Sequence, residues 1–112
     1  MTGHYSTDET VDAIATLTHT RLTTYIEVGI IRPCESQTGP VFTPVDLARL
    51  ELVCELAESH ELAADALAMV MSLVDQLHAS RNELAALGKA LDAEPEDVRG
   101  RVMAAWQASL SR

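Results

Sequence analysis

Three glutamates carry the clearest chemistry in this chain. Glu51, Glu55 and Glu58 stand at i, i+4 and i+7, so a helix through them bears one line of carboxylates. Such a line is either a solvated helix face or a surface that attracts a basic partner and speeds its approach. Around it, residues 1–62 hold only Arg21, Arg32 and Arg49 against ten carboxylates, a local net of −7 in a chain of net −9. Only Arg21 and Arg32 could reach phosphates, and each is either a contact or an ordinary surface charge. DNA is held largely through counterions released by basic side chains, so this balance argues against DNA and for a basic partner.

Other chemistries find little footing. Cys34, Cys54, His19 and His60 form no C-x-x-C or H-x-x-x-H pair, and Cys54 falls on an apolar helix face; no metal site is expected. No nucleophile has an evident base and no glycine-rich loop could cradle phosphate, so neither an enzyme nor a cofactor is expected. His78, beside an apolar seam, reads as a packed or solvent-facing histidine. Two cysteines make no disulfide framework, and no secretory leader is evident. The most apolar window, Ala66 to Val74, is bracketed by Asp65 and Asp75 and is too short to span a bilayer. A soluble cytoplasmic protein with no membrane contact is the expectation.

The elements that would position these residues can be read from caps, breakers and periodicity. Met1 to Tyr5 is a loosely held lead-in. Ser6 and Glu9 form a capping box, and Val11, Ile14 and Leu17 continue a first helix to about Thr18-His19. Thr20 caps a second helix carrying Leu22, Tyr25 and Ile26, with a tight polar turn between the two. Tyr25 beside Thr24 is either an exposed contact or, as the better reading, core beneath the hairpin that follows. Gly29 supplies a left-handed cap, Ile30-Ile31 begins an extended strand, and Gly39-Pro40 turns the chain back into Val41-Phe42. Thr43-Pro44-Val45-Asp46 starts a third helix. There Leu47, Leu50, Val53, Cys54 and Ala57 share one face and Val45, Leu52 and Leu56 a second, which predicts packing on two sides. A bend is expected at Ser59-His60-Glu61.

From Leu62 to Leu91 there is no proline, and alanine and leucine dominate, which predicts one helix on the order of 40 Å long. Leu73, Leu77, Ser80, Leu84, Leu87 and Leu91 step by four and three, an a/d seam with one polar break. Such a seam needs a partner: a second copy in an antiparallel coiled coil is the first expectation, and the C-terminal segment folded back is the second. A further helix is expected from Pro95, with Val98, Val102, Trp106 and Leu110 on one edge and Gly100 weakening it. The chain therefore divides into a helix-turn-helix and hairpin domain (1–62), a long dimerisation helix (63–91) and a helical extension (92–112).

This order of elements resembles the MerR-like winged-helix group. The likeness lies in the helix-turn-helix, in Tyr25-Ile26-Glu27-Val28-Gly29-Ile30-Ile31-Arg32-Pro33, in a wing ending Val41-Phe42-Thr43, and in Asp46-Leu47-Ala48-Arg49-Leu50. The short acidic chain and leucine-bearing helix look like the chaperone-modulator (CbpM-type) branch. The resemblance spans about residues 5–91 and implies a mainly α fold, a winged helix-turn-helix with a two-stranded wing and a long C-terminal coiled-coil helix. It implies binding to the J-domain of a DnaJ-like co-chaperone and restraint of its stimulation of Hsp70, by a chain that the leucine seam already leads one to expect as a homodimer. Glu51, Glu55 and Glu58 would face the basic J-domain helix; Arg21, Thr24 and Tyr25 are the alternative contact. Leu73, Leu77, Leu84, Leu87 and Leu91 would hold the dimer. The competing reading is a MerR-type dimeric transcriptional regulator. That branch usually has an arginine before the tyrosine of the second helix and a basic wing, whereas this chain has Thr23-Thr24 and Cys34-Glu35-Ser36-Gln37 there.

Overall fold

Local capping chemistry fixes where the first helices begin. In the computed structural model, which describes residues 3–111, α1 covers Thr7–Ala13 and α2 covers His19–Glu27. Ser6 caps α1 in a reciprocal box: its Oγ accepts from Glu9 N–H at 3.1 Å, and Glu9 Oε1 accepts from Ser6 N–H at 2.8 Å. α1 is shorter than its apolar spacing predicts. The chain turns extended at Ile14, and Ile14 and Leu17 are both buried from the turn itself. The second cap is also displaced: Thr18, not Thr20, accepts from Arg21 N–H at 3.1 Å.

Gly29 has φ +83°, the left-handed conformation expected of it. The Tyr25 carbonyl accepts from Ile30 N–H at 2.9 Å, which folds the chain back under α2. Ile30 and Ile31 are buried but belong to no strand. They act as core plugs, with the Ile30 carbonyl also taking a hydrogen bond from Arg49 Nε. The hairpin starts later, at β1 (Cys34–Ser36), paired antiparallel with β2 (Gly39–Val41) in the register Cys34 with Val41 and Ser36 with Gly39. Its fixed point is Phe42, fully buried, which exchanges two 2.8 Å backbone hydrogen bonds with Tyr5. The lead-in is thus pinned to the hairpin at Tyr5.

α3 (Pro44–His60) starts in a second capping box between Thr43 and Asp46. Leu50, Val53 and Cys54 of its first apolar face are buried; of the expected second face, Leu56 is half-buried against the same core, whereas Val45 is 76% exposed and Leu52 stands at the surface. The second apolar face expected from the sequence is therefore covered at Leu56 and open at Val45. Glu61 ends the helix with φ +51°, a left-handed conformation that costs a side-chain-bearing residue about 1–2 kcal/mol. α4 (Ala64–Asp92) and α5 (Glu96–Leu110) complete the chain, and α5 is continuous through Gly100.

Two compact units divide at Val74 and Asp75, inside α4. The first includes the opening turns of α4 because Leu67 and Met71 are buried in its core with Phe42, Leu50 and Val53. The second comprises the rest of α4 and α5. Within it the chain turns at Ala93-Glu94, and both helices flank an apolar cleft of about 500 Å³. Leu84, Leu87 and Leu91 lie on one side and Val102, Met103 and Trp106 on the other. No helix among the described residues is long and apolar enough to cross a membrane.

Candidate functional site

Within the first unit, α2, the end of α3 and the start of α4 enclose an open pocket of about 590 Å³. Helical spacing places Thr20, Arg21, Thr24 and Tyr25 on one side of α2, where they line it. Ala57 and Glu58 come from α3, and the left-handed turn at Glu61 brings Leu62, Ala64 and Leu67 to the opposite wall.

Arg21 organises the polar part. Its Nη2 donates to Glu58 Oε2 at 2.8 Å and its Nη1 to the Thr16 carbonyl at 2.9 Å. The guanidinium thus ties α2 to both α3 and the inter-helix turn, and its hydrogen bond to Glu58 holds it above its ordinary pKa. Beneath it, burial pushes the Tyr25 hydroxyl and the Cys54 thiol above their ordinary values; for Cys54 the Thr16 side chain works in the opposite sense. Both groups are neutral in the fold. Beside the pocket, His19 Nε2 lies 2.9 Å from Asp8 Oδ1.

The sequence-derived candidates are therefore separated by the fold. Arg21, Thr24, Tyr25 and Glu58 meet around one pocket, while Glu51 and Glu55 are exposed on α3 outside it. The three-glutamate line is broken chemically at Glu58, which faces an arginine of its own chain. Tyr25 is only 4% exposed, so it belongs to the core and forms the pocket floor instead of a projecting contact. Thr20, Glu61 and Leu62 are lining residues that sequence reasoning passed over. The loosened periodicity at Ser59-His60-Glu61 marked the turn but not its left-handed geometry. Cys34 is exposed and Cys54 buried, and no group of three or more His, Cys, Asp or Glu among the described residues is arranged to hold a metal ion.

Of the leucines expected at a dimer contact, Leu73, Leu77, Leu84 and Leu87 are exposed along α4, and Leu91 is half-buried. The chain matches no protein-family model, no curated protein and no solved structure.

Proposed function

We propose that the chain is a protein-binding regulator of the chaperone-modulator type, a MerR-like winged helix whose acidic first unit docks on a basic surface. The partner is the J-domain of a DnaJ-like co-chaperone, and occupation of that surface blocks stimulation of Hsp70. One observation carries the reading over DNA binding. Both side chains of α2 that could meet a phosphate already face a carboxylate: Arg21 with Glu58 at 2.8 Å and His19 with Asp8 at 2.9 Å. The net charge around them is −7 over residues 1–62. A recognition helix whose one arginine is engaged and a hairpin bearing Glu35 offer little counterion release. Glu51 and Glu55, exposed on α3, present the opposite charge to a basic helix and would raise its association rate. Self-association through residues 66–91 belongs to the same reading, with Leu73, Leu77, Leu84, Leu87 and Leu91 at the contact.

The test is charge reversal at Glu51 and Glu55. Surface plasmon resonance at two salt concentrations, with the J-domain immobilised, measures association of the wild type and of Glu51→Lys with Glu55→Lys. A several-fold slower association in the variant and release of Hsp70 ATPase stimulation are expected, with circular dichroism unchanged. An unchanged rate and unchanged inhibition would return these residues to the status of a solvated face. The contact would then be sought at Arg21, Thr24 and Tyr25.

A further inference from the structure

The second unit has no interior. From Asp75 onward no described residue is buried, although α4 and α5 flank a shared apolar cleft. Leu77, Leu84, Leu87, Val102, Trp106 and Leu110 are each about half exposed or more. Together they present on the order of 600 Å² of apolar surface, the scale of the ~800 Å² per partner in a standard interface. Two helices that leave this surface in water gain little from packing on each other, because helices in proteins are stabilised mainly by burying an apolar face.

We infer that the cleft is filled by the same unit of a second copy, so that α4 and α5 of two chains form an intermolecular four-helix bundle. The inference rests on the self-association proposed above and changes its composition: the contact includes α5 as well as the α4 seam.

Three features select a second copy as the occupant. Charge is the first. Residues 75–112 carry five basic and six acidic side chains, a net of −1, whereas residues 1–74 carry −8. Two second units meet without the repulsion that two first units would suffer, and a basic partner finds no matching field here. Shape is the second. Gly88 and Ala90 lie low in the lining while Trp106, 49% exposed, is its bulkiest side chain. Hollow and knob on one surface are what a two-fold interface requires, since each residue pair occurs twice in reciprocal form. Area is the third. Doubling the exposed apolar surface brings the total into the range of stable dimers, with facing apolar positions arranged as in a bundle core.

Trp106 is the only tryptophan, so its emission reports on this interface alone. Sedimentation velocity and fluorescence of the full chain are followed together on dilution from tens of micromolar. A dimer is expected whose Trp106 emission shifts to longer wavelength as it dissociates. Val102→Asp, in α5, is expected to raise the dissociation constant by roughly 30-fold or more, the scale of a central interface residue. A wild type that is monomeric at tens of micromolar overturns self-association altogether. A dimer that dissociates with no change in Trp106 emission, or that survives Val102→Asp unaltered, overturns the bundle alone and leaves a two-helix contact along α4. The wild-type dilution involves no substitution, so its result stands even where the second unit of the variant melts.

Discussion

The two units use the same helix-forming residues and differ in what they do with the apolar ones. The described residues up to Val74 bury twelve apolar side chains in one cluster, drawn from the α1–α2 turn, α2, the Ile30-Ile31 segment, Phe42, α3 and the first turns of α4. Residues from Asp75 onward bury none among those described, despite a leucine seam on α4 and an apolar edge on α5. The contrast separates two properties that periodicity alone runs together. A repeat of three and four residues specifies a helix with an apolar face; whether that face is a core or a contact depends on which other elements can reach it. In the first unit the turns at Gly29 and Glu61 bring several elements around one centre. In the second, one turn at Ala93-Glu94 brings two.

The largest effect that would break this contrast comes from paired truncations. Phe42→Ala empties a fully buried site and removes packing at the hairpin base, and is expected to destabilise the first unit by about 3–5 kcal/mol in urea unfolding. Leu84→Ala, measured at concentrations low enough to keep the chain monomeric, is expected to change stability by within about 0.5 kcal/mol, because the residue is already 61% exposed. Equal losses at the two positions would mean that the second unit has a core of its own.

Alkaline pH sharpens the comparison. Cys54 and Tyr25 are buried acids of the first unit, pushed above their ordinary values of 9.0 and 10.0. Above the ordinary thiol value the unfolded chain loses a proton that the folded one keeps, so the fold binds more protons and stability falls as pH rises. That contribution is complete below the ordinary values and is lost through the raised folded ones. Denaturation midpoints followed by near-ultraviolet circular dichroism are expected to be flat in neutral buffer and to drop on the alkaline side. Cys54→Ala should lessen the drop, at the cost of the thiol's packing.

A smaller effect is expected at the polar edge of the pocket. Glu58→Gln keeps the shape and removes the charge facing Arg21. This pair is part-exposed, so a loss of about 0.2–1 kcal/mol is expected by thermal unfolding. A much larger loss would make the pair a principal tie between α2 and α3.

What the sequence made legible was chiefly local. Ser6 with Glu9 and Thr43 with Asp46 declared two helix starts, because a cap and its third residue are neighbours in the chain. Gly29 declared its turn for the same reason, and the long α4 followed from composition. What stayed hidden needed partners distant in sequence. Nothing near Tyr5 announces its pairing with Phe42, and Ile30-Ile31 has strand-forming residues that tertiary contacts use as plugs instead. Val45 and Leu52 have the spacing of a buried face yet stand at the surface, while Leu56 on that face packs against the core. At the candidate site, Glu51, Glu55 and Glu58 were legible as a line on one helix. The partner of Glu58 was not, since Arg21 lies thirty-seven residues away.

The central claim is that the acidic first unit recognises a protein and not DNA. It is tested most directly by titrating one immobilised sample of the full chain with an isolated J-domain and with a pool of random duplexes, at low and at physiological salt. Saturable J-domain binding whose association slows as salt rises is expected, with no measurable duplex binding at physiological salt. Duplex binding that persists at physiological salt, with no response to the J-domain, would contradict it.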